Sequence, residues 1–319
     1  GGKGVMAHNP AFKKSDPTIR ADLYKEYGEL LSALKGCYVT AEDVGTHVSD
    51  MANIFRKTRF TTCIPFSLGG SGNPSEPTAR GVLSGIEAGL EFADMGSLQG
   101  KTVAVQGVGN VGTPLIRFLF EKNVKKILAC DINPNLLDQI QSDFAGKPLE
   151  AKHLTQDDLS FFATDCDVFA PCATGAIPHE ATIPMLKAKV VCGAANNQLE
   201  DSYRDDHLLM KRDILYVPDF LVNRMGIVNC ADEQAGSINC DPLFERHLSR
   251  DWEYSIYQAA IRVLTQSRET KTPPGQVALD MAERLSFERH PIFGHRGRQI
   301  IKSLVENHWW HEYPRAQGY

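Results

Sequence analysis

The sequence predicts an α/β chain, in which a doubly wound parallel sheet joins a second α/β domain and a cleft lies between the two. Three observations predict this. From Lys101 onward, short apolar strands alternate with helical stretches. A glycine-rich G-x-G-x-x-G run at residues 107–112 sits between one such strand and the helix that follows. The 319 residues correspond to about two domains at roughly 150 residues each.

Residues 17–35 read as a helix. Pro17 lies near its start, and Ile19, Leu23, Tyr27, Leu30, Leu31 and Leu34 recur at three- and four-residue spacing, with Gly36 beyond the end. Cys37–Thr40 reads as a short strand. Residues 69–77 are dense in Gly, Ser and Pro and mark a loop or hinge. Residues 77–94 form a second helix with Val82, Leu83, Ile86, Leu90 and Phe92 on its apolar face. Thr102–Gln106 is a strand, Thr113–Glu121 a helix and Lys126–Cys130 a second strand. Asp167–Ala170, Val190–Cys192 and Ile214–Val217 continue the series. Short strands separated by helices imply parallel pairing through right-handed crossovers. After about residue 250 the chain is helical again, with Trp252, Ile256, Ala259, Ala260, Val263 and Leu264 on one face. Trp309 and Trp310 end the tail as a subunit contact or as packing on the parent domain.

Composition narrows the classes. Hydrophobic residues at 42 % and charged residues at 23 % exclude intrinsic disorder. The balance of 34 basic against 39 acidic residues leaves no electrostatic footprint for nucleic acid or an anionic membrane. No apolar run approaches the roughly 18 residues of a membrane span. The start, Gly1 to Met6, lacks the pattern of a signal peptide. It also lacks an initiator Met, so processing, tag removal and a fragment all remain readings. The eight cysteines form no CxxC pair, and read as buried reduced thiols of a cytosolic protein rather than disulfides or zinc ligands. No metal site is expected.

The glycine run gains meaning from its surroundings. It follows a strand, opens a helix, and is followed by Asp131 at the end of the next strand. Gly107 permits a tight turn, Gly109 lets backbone approach a pyrophosphate, and Gly112 lets the helix lie close to the strand. Asn110 and Val111 complete the loop at the helix N-terminus, where free N–H groups face the phosphates. Asp131 is placed to accept hydrogen bonds from a ribose 2′-hydroxyl, and its charge repels a 2′-phosphate. The pattern therefore points to a Rossmann-type domain that binds NAD in preference to NADP.

Other polar residues stand at suggestive places. Asp43 follows the first strand, and Lys3 is flanked by Gly2 and Gly4. Asn196 and Asn197 lie just past a strand end, where doubly wound sheets bind ligands. Asn223 follows Pro218-Asp219-Phe220-Leu221-Val222. Taken singly, Lys3 also reads as a solvated lysine, Asp43 as a helix cap and the Asn pair as a strand-end cap.

Together the motifs GGKGV, TAEDVGT, SGNPSEPTARGV, KTVAVQGVGNVG, APCATGA, GAANNQLE and PDFLVN…NCADE, in this order, resemble the leucine/phenylalanine/valine dehydrogenases of the Glu/Leu/Phe/Val amino-acid dehydrogenase family. The resemblance runs from residue 1 to about 290. It implies NAD-dependent, reversible oxidative deamination of an apolar L-amino acid (Leu, Val, Ile or Phe type) to the 2-oxo acid and ammonia. It implies that Lys3 polarises the carbonyl and activates water, and that Asp43 shuttles protons at the substrate nitrogen. It implies substrate contacts at Asn223 and Ala41, and cofactor contacts at Thr78, Ala173, Asn196 and Asn197. A substrate and oligomerisation domain of residues 1–62 and 265–319, an NAD domain of 63–264, and homo-oligomers in the cytoplasm follow from it.

Three departures stand out. The family's carboxylate-gripping lysine precedes the GGK motif, so the chain reads as N-terminally truncated. Arg224 and Met225 stand where the family has small residues, and would crowd the nicotinamide or reshape the pocket. The tail after 290 is longer than expected. Two alternatives therefore stand beside the dehydrogenase: an NAD-binding paralogue with an altered substrate, and a catalytically silent paralogue or fragment.

Overall fold

The computed structural model describes residues 2–7, 16–155, 157–236 and 240–312. Its first helices are α1 (Pro17–Ala33), α2 (Val48–Phe55) and α3 (Ser75–Phe92). Then come β1 (Thr102–Gln106), α4 (Gly112–Glu121), β2 (Lys126–Asp131), α5 (Pro134–Asp143), β3 (Leu149–His153), β4 (Val168–Pro171) and β5 (Val190–Val191). These lead to α6 (Arg204–Lys211), β6 (Leu215–Tyr216), α7 (Asp219–Val222), α8 (Met225–Ala235) and α9 (Pro242–Glu245). The chain closes with α10 (Ile256–Thr270), α11 (Pro274–Ser286), α12 (Arg296–Glu306) and α13 (Trp309–Glu312). No described helix is long and apolar enough to cross a membrane.

The chain divides into two units. The first comprises Gly1–Pro74, Asn229–Asn239 and Ser286–Tyr319, and the second Ser75–Val228 and Cys240–Leu285. These boundaries differ from the expected ones. Residues 63–74 go with the first unit, because the Cys63 and Ile64 N–H groups and the Ser71 hydroxyl all donate to the Glu233 carboxylate. Residues 265–285 go with the second, because Val277 and Ala278 are buried in its core.

The second unit is a six-stranded parallel sheet of order β3-β2-β1-β4-β5-β6, a Rossmann-type doubly wound arrangement. Side chains alternate across it. Val103, Val105, Val168, Ala170 and Val190 enter one core with α3, α4 and α10. Ala104, Phe169 and Val191 enter the other with Phe161, Phe162 and Leu209. α3 lies close on the sheet through glycines at four-residue spacing; a Cβ on Gly89 would stand 2.9 Å from Val190 Cγ1. The strands expected from Lys101 onward all form. β3 was not foreseen, because Leu149-Glu150-Ala151-Lys152-His153 is too polar to read as a strand, yet it pairs with the open edge of β2 from Ile127↔Leu149 onward.

In the first unit, the Asp16 side chain caps α1 by accepting from the Thr18 and Ile19 N–H groups at 2.9 and 3.3 Å. Tyr24, Leu31, Met51 and Ile54 form the core between α1 and α2. The strand expected at Cys37–Thr40 is reduced to one parallel bridge, Thr40↔Thr61. A positive φ at Lys35 and Gly36 turns the chain just before it, and a lone pair of short segments is too little to extend a ladder. All eight cysteines are free; Cys240 is exposed, Cys37 and Cys172 are half-buried, and the other five are buried.

One buried acid sets a pH dependence in the second unit. Asp206 Oδ2 accepts the Gly275 N–H at 2.7 Å, while Oδ1 is buried without a partner. Burial outweighs the bonds from Gly275 and Gln276 and pushes this carboxyl up to about 6. The folded state then holds a proton that the unfolded chain releases between about pH 4 and 6, so stability falls as pH rises through that window. We expect Asp206→Asn to gain about 3 kcal/mol relative to wild type between about pH 4 and pH 7. Urea unfolding at both pH values measures this, and a difference that does not change with pH refutes it.

Candidate active site

The sequence-predicted residues fall into two groups, one in each unit. In the first unit Lys3 and Asp43 meet as an ion pair, Nζ on Oδ2. The Gly4 N–H donates to Tyr38 Oη at 3.0 Å, which ties the extended segment carrying Lys3 to the body of the unit. Asp43 heads a tight turn: Thr46 Oγ1 accepts its N–H at 2.8 Å and donates back to its carbonyl at 2.7 Å. The Val44 N–H donates to Asp43 Oδ1 at 2.8 Å. Arg20 braces this turn, donating to the Gly45 carbonyl at 2.9 Å and to both oxygens of buried Asp50.

These contacts set the electrostatics. Partial burial pushes the Asp43 carboxyl up, but the Lys3 hydrogen bond, the Val44 N–H and the Lys3 charge together hold it below its usual range. Asp43 is therefore ionised and carries a proton-donating partner. Its neighbour Glu42 is the reverse case. Burial raises its pKa against the opposing influence of His47 and of Asn73, which donates to Oε1 at 3.2 Å, and Oε2 is buried with no partner. Ala41 packs on the core of this unit beside Tyr38 and Tyr27. Gly1 of the GGKGV motif lies outside the described residues.

In the second unit the glycine loop lies at the carboxyl end of β1. The strand order reverses between β1 and β4, and ligands of such sheets bind at this switch point. Gly107 has φ 90°, and a Cβ there would stand 2.7 Å from Ala173 Cβ, in the loop after β4. A Cβ on Gly112 would overlap the Gly107 carbonyl oxygen. Gly109 has nothing within 4 Å of a built Cβ, so its backbone faces open space. Asn110 is exposed, and Val111 precedes the first turn of α4, where N–H groups lack helical partners.

Asp131 closes the loop from the other side. Its Oδ2 accepts the Val108 N–H and its Oδ1 the Asn133 N–H, both at 2.9 Å. A carboxylate accepts about four hydrogen bonds, so acceptor capacity remains for a ligand hydroxyl. The chain therefore fits a dinucleotide at this place: a cradle only glycine permits, a helix start, and an acid at the next strand end.

The residues after β5 form a second cluster. Asn223 Nδ2 donates to the Ala194 carbonyl at 3.2 Å and to Asn196 Oδ1 at 2.8 Å. Asn197 adopts φ 50° and its carbonyl accepts the Ala176 N–H at 2.8 Å. Thr78 is half-buried in the first turn of α3, whose Glu76 pairs with Arg117 of α4 at 2.9 Å.

Of Arg224 and Met225, expected to crowd the nicotinamide or reshape the pocket, Met225 turns inward. Met225 is fully buried in the sheet core, its Cγ 2.9 Å from a Cβ built on Gly81. It fills the space over that glycine. Arg224 donates to the Tyr254 carbonyl, and burial followed by the charge of Arg262 lowers its pKa.

Sequence reasoning missed several polar groups. Glu233, within the quoted NCADE motif, organises residues 63–71 from about 160 residues away. Gln106 Oε1, at the end of β1, is a buried acceptor with no partner. Gln198 is fully buried, with its amide oxygen and nitrogen both unpartnered. None shows a spacing signal: Glu233 acts through contacts distant in sequence, and the two glutamines stand out only by the burial of unpartnered amide atoms.

The chain is similar to known amino-acid dehydrogenases. A leucine dehydrogenase of Bacillus subtilis (strain 168) is 40% identical over 290 residues, 91% of this chain and 73% of that protein. One from Geobacillus stearothermophilus is 37% identical over 284 residues, 89% of this chain and 72% of that protein. The crystal structure of L-tryptophan dehydrogenase from Nostoc punctiforme superposes with a TM-score of 0.66 at 30% identity, covering 86% of this chain and 74% of that one. Residues 69–290 match the model of the Glutamate/Leucine/Phenylalanine/Valine dehydrogenase family. With glycine loop, Asp131 and Asn223 all inside that span, the chain belongs to this family of amino-acid dehydrogenases.

Proposed function

We propose that this chain catalyses the reversible oxidative deamination of an apolar L-amino acid of the leucine type, with NAD as oxidant. The observation that carries the reading is the Lys3–Asp43 pair, a cation and an ionised carboxylate held together by a turn. Unit two, in this reading, binds the dinucleotide through Gly107, Gly109, Asn110, Val111, Gly112 and Asp131, with Thr78, Ala173, Asn196 and Asn197 as further contacts. When bound, the nicotinamide supplies the acceptor for the hydride lost from the substrate Cα.

The remaining steps belong to this chain's side chains. Asn223, already anchored to Ala194 and Asn196, holds the substrate. Lys3, after passing its own proton to the adjacent Asp43 carboxylate, takes a proton from the water that attacks the substrate's iminium carbon and then stabilises the oxygen that forms there. Asp43 passes a proton to the nitrogen so that it leaves as ammonia. Ala41 lines the side-chain pocket. The leucine dehydrogenases among its relatives favour an aliphatic side chain, and the L-tryptophan dehydrogenase marks the aromatic alternative.

The test is NADH absorbance with a panel of L-amino acids. Leucine, valine or isoleucine turning over fastest supports the reading; NADH binding with no turnover of any of them overturns it. Asp131 gives a second measurement. Asp131→Ala removes two backbone anchors and the charge that opposes a 2′-phosphate. We expect it to weaken NAD binding about tenfold or more and narrow the preference over NADP. An unchanged cofactor preference removes Asp131 from this role.

A further inference from the structure

Cys63 and Cys230 are 167 positions apart in sequence, yet their sulfurs lie 3.6 Å apart in the first unit. A disulfide needs about 2.05 Å, so a shift of roughly 1.5 Å joins them. The backbone at Cys63 is held in the left-handed region at φ 59°. Glu233 maintains this conformation by accepting the N–H of Cys63 at 2.7 Å and of Ile64 at 2.9 Å. The residues just before Cys63 pair with the segment that leads to Asp43: the Thr40 N–H donates to the Phe60 carbonyl at 3.0 Å and the Thr62 N–H to the Thr40 carbonyl at 2.9 Å. Cys63 therefore stands between a potential disulfide partner and the bridge at Thr40 and Thr61 that leads into the Asp43 turn.

We propose that Cys63 and Cys230 are a reversible oxidation site, in which a peroxide-class oxidant joins them and loosens the Thr40–Asp43 segment. The effect on turnover rests on the proposed dehydrogenase reading; the bond itself does not. Cys230 is the attacking thiol. It retains 7% exposure against 0% for Cys63. The Cys63 contact lowers its pKa against the opposing effect of burial, while the Cys63 thiol is raised by the same contact and by burial. The Cys230 thiolate attacks one oxygen of hydrogen peroxide: an S–O bond forms, the O–O bond breaks, and hydroxide leaves as water. The Cys63 sulfur then attacks the Cys230 sulfenic sulfur: the S–S bond forms, the S–O bond breaks, and a second water leaves with the Cys63 proton. Two thiols lose two electrons, and one peroxide becomes two waters. Drawing Cys63 toward Cys230 pulls on its neighbour Thr62, whose N–H bond to the Thr40 carbonyl ties down the segment that ends in the Asp43 turn.

The experiment treats the full chain with hydrogen peroxide and digests it without reductant. Mass spectrometry seeks the linked peptides carrying Cys63 and Cys230, lighter by two hydrogens. Amide exchange across residues 40–46 and leucine-dependent NADH formation are followed before and after dithiothreitol. We expect the link, faster exchange at 40–46, and a kcat about tenfold lower or more, all reversed by dithiothreitol. Cys230→Ser is expected to keep its turnover under peroxide. Oxidation of exposed Cys240 with no Cys63–Cys230 link overturns the proposal, as does a link that leaves exchange at 40–46 unchanged. A reduced wild-type chain that turns over no amino acid defeats the functional reading instead, and the link and exchange still decide this one.

Discussion

On the proposed function, Lys3→Ala is expected to lower kcat for leucine by about 10²- to 10⁴-fold, the range for loss of a positioned proton-transfer group, while NADH affinity stays near wild type. The two effects separate because Lys3 belongs to the first unit and the glycine loop to the second. Steady-state NADH formation measures the first, and NADH fluorescence titration the second. A third readout tests the electrostatics directly. Burial pushes the Asp43 carboxyl up, and Lys3 supplies two of the three opposing influences. Without Lys3, Asp43 retains only the Val44 N–H bond at 2.8 Å, so its titration moves to higher pH. Carboxyl NMR on the variant follows this shift. Turnover retained within a few fold removes Lys3 from the mechanism, and an unmoved Asp43 titration shows that the pair does not govern it.

Gly112→Ala is expected to abolish measurable NADH binding. The added methyl overlaps the Gly107 carbonyl oxygen, a backbone atom that moves only if the whole loop opens. Gly107 cannot retreat, because its N–H donates to the Cys130 carbonyl at 2.8 Å and Ala173 stands against its other side. Overpacking of this kind costs about 1–3 kcal/mol, so the variant also unfolds at lower urea. Wild-type NADH affinity in a folded Gly112→Ala chain shows that the loop does not cradle the dinucleotide. Gly109→Ala is the matched control for stability: nothing lies within 4 Å of its built Cβ, so it leaves the urea midpoint near wild type.

The glycine-loop half of the candidate site was legible as structure because its parts are close in the chain. Gly107, Gly109, Gly112 and Asp131 fall within one strand-loop-helix-strand unit, so local conformation and spacing carry the arrangement. The strands of the sheet were legible for a related reason. A parallel sheet covered on both faces demands continuous apolar runs, and Thr102–Gln106, Lys126–Asp131 and Val168–Pro171 supply them.

What escaped the sequence was decided by partners far along it. β3 is a strand because β2 offers an unpaired edge, not because Leu149–His153 is apolar. Cys37–Thr40 has strand-forming residues but finds one bridge, at Thr61. Met225 sits beside Asn223 in the chain, yet helix geometry and the bare surface of Gly81 draw it into the core. By itself the sequence determined the Rossmann-type unit and its glycine loop, since those follow from short-range periodicity and backbone freedom. Only the tertiary structure decided the Lys3–Asp43 pair, the hold of Glu233 on residues 63–71 and the approach of Cys63 to Cys230. Those contacts span 40 to 170 residues, and charge and shape complementarity act between groups only once folding has brought them together.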